Sequence, residues 1–206
     1  MCKRIETVLP EDVRDYFSTL YTANKARNHQ LQAHAVEVVR ALNRIGVAPM
    51  LLKGIAGMFL GAYPDPAARV IRDLDVLVPE STVEKCVDRL RESGYDRYHP
   101  EHEFPTDHHP YHWLFRPGVP APVEIHRDAV GTRWQLVLPT RALWRESRRL
   151  SVGDLEVCVP SSEHRLLHAL IHAIEHAVQH HSEAWQTRLP LRDVLEGIWL
   201  RAKLDP

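Results

Sequence analysis

The segment LLKGIAGMFLGAYPDPAARVIRDLDVLVPE, residues 51–80, decides how this sequence is interpreted. Its last part places two carboxylates, Asp73 and Asp75, inside the apolar run DLDVLV. Strand side chains alternate between the two faces of a sheet, so a strand over residues 73–78 directs both acids to one side. At about 3.3 Å per residue their Cα atoms lie about 6 to 7 Å apart, close enough to share one metal or a metal pair. Because like charges at that distance repel, we expect a cation to offset them.

The composition is that of an ordinary globular protein. The chain of 206 residues has 26 basic and 27 acidic side chains, and 44% of its residues are hydrophobic. A net charge near zero gives no field that favours nucleic acid or an anionic membrane. The cysteines, Cys2, Cys86 and Cys158, stand singly, which indicates a reduced, cytoplasmic protein. The most apolar stretch, residues 47–63, is interrupted by Lys53 and three glycines, so we expect no membrane span.

Hydrophobic spacing divides the chain into three predicted parts. Residues 1–46 form an N-terminal helical segment, because apolar side chains recur at helical spacing over one long helix or two short ones. Residues 47–160 form an α/β core, with strands at APMLLK, DLDVLV, YHWLFR, PVEIHR and DLEVCVP. Within that core, TRALWRESRRL is predicted as a short helix whose arginines form a solvated face. Residues 161–206 form a C-terminal helical region.

The neighbours of the two acids favour a site over a solvated strand face, although an Asp-x-Asp pair alone fits either. Lys53 and Gly54 stand at a strand-to-helix turn, where a glycine lets backbone N–H groups approach a phosphate. Arg69 and Arg72 precede the acids, and Glu124 in PVEIHR supplies a third carboxylate. Two Mg²⁺ ions about 3.5 to 4 Å apart share several carboxylates in two-metal sites. The pattern therefore indicates metal-assisted nucleotidyl transfer.

The same segment resembles the uncharacterised nucleotidyltransferase family of the DNA polymerase beta-like superfamily. The matching pattern is apolar-Lys-Gly, a short helix, Tyr-x-x-Pro, Arg and Asp-apolar-Asp-apolar, and KARNHQL, VEIHRD, HAIEH and LRDVLEG extend it along the chain. The resemblance implies an α/β (α+β) fold, with a polymerase beta-type core, a small mixed sheet, an N-terminal helix and a C-terminal helical region. It also implies transfer of a nucleoside monophosphate from an NTP to an acceptor, with release of pyrophosphate.

The resemblance implies roles for individual residues as well. Asp73, Asp75 and Glu124 would be the catalytic acids and would bind two Mg²⁺ ions, with Mn²⁺ as an alternative. Nucleotide binding falls to Lys53, Gly54 and Arg69. The acceptor is expected to be a small molecule rather than nucleic acid, which stays an alternative. The sequence fixes neither the NTP, nor the acceptor, nor the oligomeric state.

A row of histidines late in the chain is interpreted separately. Its members, His164, His168, His172, His176 and His180, recur every four residues, so each is displaced by roughly 40° around a helix. Most of the row is expected to be structural or solvated. The resemblance supports His172 and His176, together with Asp193, as a contact between helices or as the acceptor side of a cleft. His126, two residues after Glu124, is a candidate substrate contact or a support for the acids.

Two other functions stay open. The family more often has Gly-Ser or Gly-Gly where this chain has Gly54-Ile55, which favours a catalytically inactive module that binds a nucleotide or a protein partner. The three acids favour an enzyme, since a binding module has no need of repelling carboxylates. The other alternative is a zinc-dependent hydrolase that uses the histidine row and Asp193, although the chain lacks the H-E-x-x-H pattern.

Overall fold

A mixed β-sheet with helices packed around it organises the chain in the computed structural model, which describes residues 8–97, 110–179 and 191–202. The helices are α1 (Glu11–Asn43), α2 (Lys53–Phe59), α3 (Val83–Glu92), α4 (Thr140–Arg145), α5 (Ser162–Gln179) and α6 (Leu191–Arg201). The strands are β1 (Met50–Leu51), β2 (Leu74–Leu77), β3 (Asp96–Arg97), β4 (Pro110–Phe115), β5 (Val123–His126), β6 (Arg148–Val152) and β7 (Leu155–Val159). The expected α/β fold with an N-terminal helix and C-terminal helices is confirmed.

The strands of the described residues lie in the order β3-β4-β5-β2-β1-β7-β6. Two neighbouring pairs run parallel, β2 with β5 and β1 with β7, and the other pairs are antiparallel. Every side chain of β2 and of β5 is buried, as expected for strands at the centre of a sheet covered on both faces. The two acidic segments of the sequence therefore lie on adjacent central strands.

Helix α1 is one continuous helix, and its second half closes one face of the sheet. Leu31, Ala35, Val38 and Leu42 recur at helical spacing and are buried in the main core together with residues of β2, β5 and β7. The helix ends before Gly46, whose φ of +76° is a conformation that glycine adopts freely. The face of α1 that meets the sheet is thus the one that the hydrophobic spacing predicted.

The prediction of one short helix for TRALWRESRRL was wrong in its second half. Helix α4 ends at Arg145, and Arg148 begins β6, which pairs with β7 through a turn at Gly153 (φ +64°). Strand β6 is at the edge of the sheet and its side chains are mostly exposed, so it has no buried face to produce an apolar alternation. The short edge strand β3 gave no sequence signal for the same reason.

No helix within the described ranges is both long enough and apolar enough to cross a membrane.

Candidate active site

Strands β2 and β5 bring two acidic segments that are distant in the sequence into direct register. Asp75 pairs with Glu124, and Leu77 pairs with His126, along this parallel ladder. Because side chains two residues apart in a strand project from the same face, Asp75, Glu124 and His126 lie on one side of the sheet. All three residues are buried.

The three side chains form a compact cluster of potential ligand atoms. One atom from each of Asp75, Glu124 and His126 lies within 4.8 Å of the others, and this is the only such group of three or more in the part of the chain that the structure describes. His126 Nε2 is 3.0 Å from Asp75 Oδ1 and 3.5 Å from Glu124 Oε2. Sequence reasoning placed His126 next to the acids, whereas the structure places its ring between their carboxylates.

Lys53 supplies a second cation for Asp75. Its Nζ lies 2.5 Å from Asp75 Oδ1. Lys53 is the first residue of α2 and has a φ of +46°, in the left-handed region that side-chain-bearing residues seldom adopt. The preceding Leu52 donates its backbone N–H to the Asp75 carbonyl at 3.1 Å, which ties the strand-to-helix junction to β2. The cation that the acid pair requires is therefore built into the turn.

The charges of this cluster reinforce one another. Burial opposes the charge of Asp75, but Lys53 and the hydrogen bond from His126 hold the pKa of that carboxyl well below its usual range. Burial likewise lowers the pKa of His126, yet its hydrogen bonds to Asp75 and Glu124 raise it above 6.5 overall. The pKa of Lys53 is raised by Asp75, Glu124 and Asp73 despite the opposing effect of burial. The pKa shifts of Asp75 and His126 therefore both favour the charged form of the side chain.

Asp73 lies outside the compact cluster, in the bend immediately before β2. Burial, together with the negative charge of Asp75, raises the pKa of Asp73 to about 7, while Lys53 acts in the opposite direction. The strand predicted over residues 73–78 is shorter in the structure, Leu74–Leu77, so strand alternation does not govern the direction of Asp73. Asp73 instead lines an adjacent cleft.

That cleft is lined by basic residues as well as by the acid. On one side it is bounded by Lys53, Gly54, Arg69, Arg72, Asp73 and His172. It continues past Lys53, Arg69 and His172 to Pro160, Arg165, His168 and Glu196. The residues that the sequence assigned to nucleotide binding, namely Lys53, Gly54 and Arg69, thus lie around one cavity together with Asp73 and His172.

Gly54 and Arg69 have structural contacts of their own within the cleft. A Cβ atom on Gly54 would lie 2.9 Å from Ile71 Cγ1, so the absence of a side chain allows α2 to pack closely on the segment before β2. Arg69 Nη2 lies 2.6 Å from Glu196 Oε2, and both side chains are buried. Tyr63 donates its hydroxyl to the Gly54 carbonyl at 3.2 Å and contacts Glu196 Oε1 at 3.4 Å.

One residue of the site, Glu196, was missed from the sequence, and two of the predicted residues have side chains that the structure does not describe. Nothing in the sequence marked Glu196 as the partner of Arg69, because their hydrogen bond joins residues that are far apart along the chain. The helical spacing of Glu196 with Leu200 was the only local sign that it faces inward. The side chains of His176 and Asp193 lie outside the described residues, so their predicted roles stay predictions.

Solved nucleotidyltransferase structures have the fold described above. The lincomycin-bound lincosamide antibiotic adenylyltransferase LnuA gives a TM-score of 0.50 at 14% identity, over 82% of this chain and 94% of its own. The antibiotic-resistance factor ANT(2'')-Ia gives 0.52 at 11% identity, over 89% and 85%. An antigenic nucleotidyltransferase-like protein from Paracoccidioides brasiliensis gives 0.53 at 13% identity, over 84% and 75%. A comparison with curated protein sequences finds no match.

The class of protein is therefore defined by a nucleotidyltransferase fold with an acid pair on two central strands. Within that class, the chain belongs to the family described as uncharacterised nucleotidyltransferase, whose sequence profile matches residues 2–196. The family resemblance of the Lys-Gly and Asp-x-Asp segments is confirmed.

Proposed function

We propose that this chain is a metal-dependent nucleotidyltransferase that transfers a nucleoside monophosphate from an NTP to a small molecule and releases pyrophosphate. The observation that carries the proposal is the register of β2 and β5, which sets Asp75 beside Glu124. Lys53 contacts Asp75 and also lines the basic cleft, so the acid pair and the cleft form one continuous site.

The donor chemistry of the site fits magnesium. Asp73, Asp75 and Glu124 offer carboxylate oxygens, which Mg²⁺ and Mn²⁺ prefer, whereas imidazole nitrogen is more typical of zinc. We therefore assign the metal to the three acids and give His126 the role of hydrogen-bond donor to Asp75 and Glu124, from its Nε2 atom. When bound, two such ions would neutralise charge on the phosphate oxygens during an in-line displacement.

The basic residues of the cleft would bind the triphosphate. Lys53, Arg69 and Arg72 lie around the same cavity as Asp73, and Gly54 also lines it. Arginine and lysine side chains neutralise phosphate groups, and arginine does so with two parallel hydrogen bonds. Arg69 is already paired with Glu196, so its contribution to phosphate binding would be shared with that carboxylate.

The reaction needs one bond formed and one broken at the α-phosphorus. The acceptor hydroxyl oxygen would bond to this phosphorus while the bridging oxygen toward the β-phosphorus leaves as part of pyrophosphate. The hydroxyl proton would pass to a nearby carboxylate, and Glu124 is our candidate because it stands beside Asp75 at the reacting end of the site. His172, which also lines the cleft, is our candidate contact for the acceptor.

A small-molecule acceptor is supported by the neighbours in fold. One is a lincosamide antibiotic adenylyltransferase with lincomycin bound, and another is an antibiotic-resistance factor. The near-neutral charge of the chain, 26 basic against 27 acidic residues, gives no reason to prefer nucleic acid. Cys86 and Cys158 are buried and unpaired, which supports action in the cytoplasm.

Calorimetric titration with each NTP, in the presence and absence of Mg²⁺, tests the proposal. We expect Mg²⁺-dependent binding of at least one NTP to the native chain, loss of that binding in an Asp73→Asn, Asp75→Asn double variant, and no change in Asp88→Asn, where an exposed acid of α3 is neutralised. Binding would justify a screen of acceptors for pyrophosphate release. If no NTP binds to the folded native chain, the transferase proposal is wrong and an inactive module that binds a protein partner replaces it.

A further inference from the structure

The acid cluster already contains its own counter-charge in Lys53, beside His126. Lys53 Nζ, at 2.5 Å, and His126 Nε2, at 3.0 Å, both contact the same atom, Asp75 Oδ1. Asp75 and His126 are almost completely buried, and the Lys53 side chain is only 22% exposed. Two buried carboxylates that stand side by side without a cation would be strongly unfavourable. The contact between Lys53 and Asp75 therefore offsets part of this negative charge in the protein without metal.

The backbone directs Lys53 to this position. Among the described residues, Lys53 is the only non-glycine residue with a positive φ, +46°. A side-chain-bearing residue is seldom found in this conformation unless the surrounding structure imposes it. The hydrogen bond from the Leu52 N–H to the Asp75 carbonyl fixes the turn against β2. The backbone position of Lys53 next to the acids is thus fixed, while its long side chain can still rotate.

The Lys53 ammonium and a bound metal would compete for Asp75. A divalent cation held by Asp75 and Glu124 would stand within a few ångströms of the Lys53 ammonium, and like charges at that separation repel strongly where both are buried. Lys53 is the group that can move away from Asp75, because its side chain also lines the cleft beside Arg69 and Arg72. His126 cannot move in this way, because it is almost completely buried.

We propose that Lys53 is a built-in counter-ion of the acid pair, which a divalent cation displaces from Asp75 into the phosphate-binding cleft. This inference rests on the proposed function, since it assigns the metal to the same acids. It makes metal binding and phosphate binding cooperative: arrival of the metal frees an ammonium group at the place where the triphosphate binds. Lys53 thus competes with the metal for Asp75 and contacts the nucleotide once it is displaced.

The exchange predicts effects of opposite sign when Lys53 is removed. Free metal should bind more tightly, because its competitor for Asp75 is gone. The gain in metal affinity that the nucleotide provides should become smaller, because the cleft has also lost a cation that would contact the phosphates. A lysine that only bound phosphate would leave the affinity for free metal unchanged, and a lysine that only stabilised the fold would not improve any affinity.

Mn²⁺ binding, measured from the electron paramagnetic resonance signal of the free ion, tests this exchange. The first variant is Lys53→Met, which keeps most of the length of the side chain. The second is Lys53→Gly, which is used if Lys53→Met folds poorly, because glycine adopts a positive φ without strain. Lys25→Met, at an exposed position of α1, is the control. For both Lys53 variants we expect a Kd for Mn²⁺ alone that is about tenfold lower than native. We also expect a smaller gain in affinity when a non-hydrolysable ATP analogue is added, with Lys25→Met behaving as native.

The outcomes separate this inference from the function on which it rests. Native protein that binds the Mn²⁺–nucleotide complex, together with Lys53 variants whose affinity for Mn²⁺ alone is unchanged or weaker, would overturn the exchange and leave the transferase proposal standing. Native protein that binds neither Mn²⁺ nor its nucleotide complex would overturn both. Raised thermal stability of Lys53→Met on addition of Mn²⁺, larger than the rise seen for native protein, would support the exchange independently.

Discussion

Two buried histidines, His126 in the acid cluster and His34 on α1, have similar burial and opposite protonation behaviour. His126 is 1% exposed and its pKa is raised above 6.5. His34 is 4% exposed, and burial together with the charge of Arg116 lowers its pKa to about 4. The partner of His126 Nε2 is a carboxylate, whereas that of His34 Nε2 is the Tyr95 hydroxyl, at 2.5 Å. Burial alone therefore does not set the charge of a histidine in this protein.

The difference distinguishes the proposed active site from a structural part of the molecule. Around His34 the buried groups are neutral, since burial raises the pKa of Tyr95 to about 12. The neighbouring ion pair between Arg116 and Glu37 is nearer the surface, where the Glu37 side chain is 54% exposed. Around His126 the charges themselves are buried. Buried, mutually dependent charges cost stability, and they are concentrated where proteins bind ions or perform chemistry.

The largest expected effect is on nucleotide affinity, and it comes from Asp75→Asn, which removes the central charge of the acid cluster. This change removes the shared partner of Lys53 and His126 and one of the proposed metal ligands, so Mg²⁺-dependent NTP affinity should fall about 1000-fold, equivalent to roughly 4 kcal/mol. The pKa of His126 should fall at the same time. Burial lowers this pKa, and the hydrogen bond and charge of Asp75 that raise it would be lost. Calorimetry and an NMR titration of the histidine ring measure the two effects. An unchanged His126 pKa would contradict the electrostatic account of the cluster.

A smaller effect is expected from breaking one ion pair in each region. Glu196→Gln leaves the buried Arg69 guanidinium without its counter-charge and should lower the free energy of unfolding by about 3 kcal/mol. Glu37→Gln breaks the more exposed pair with Arg116 and should cost less than about 1 kcal/mol. Urea unfolding of the two variants gives the comparison. Equal losses would show that burial of the Arg69–Glu196 pair has no energetic consequence.

An effect smaller than that of Glu196→Gln concerns pH and His34. The pKa of His34 is lower in the folded chain, about 4, than the ordinary value of 6.5, so the unfolded chain binds the proton first. The contribution of His34 to stability is complete above pH 6.5 and is lost as the pH falls toward 4. The cost should reach about 2 kcal/mol near pH 4.5.

Urea unfolding of native protein and of His34→Gln, at pH 7 and pH 4.5, isolates this contribution from that of the carboxylates. The variant should lose about 2 kcal/mol less than native protein over this interval. If both chains lose the same amount, folding does not lower the pKa of His34 and the comparison of the two histidines fails. The raised pKa of His126 has the opposite sign, since its contribution is present below pH 6.5 and is lost as the pH rises through the folded value.

Local pattern predicted the elements that have a buried face. Helix α1 lies where one long helix or two short ones were predicted, and β2 lies within the strand predicted over residues 73–78, because the apolar residues of each repeat with the period of that element. Strands β3 and β6 were missed because edge strands with exposed side chains have no such repeat. The bend at Asp73 was missed too, since alternation in DLDVLV gave no sign of where pairing with β5 begins.

The sequence by itself determined the family and the inventory of acidic and basic groups, because the Lys-Gly turn and the Asp-x-Asp segment are local and keep their order along the chain. Only the tertiary structure decided which of these groups meet. Asp75 contacts His126 because β2 and β5 are parallel neighbours, and it contacts Lys53 because a turn with a positive φ directs that side chain toward β2. Strand pairing and backbone direction depend on the whole sheet, and no local pattern of residues encodes them.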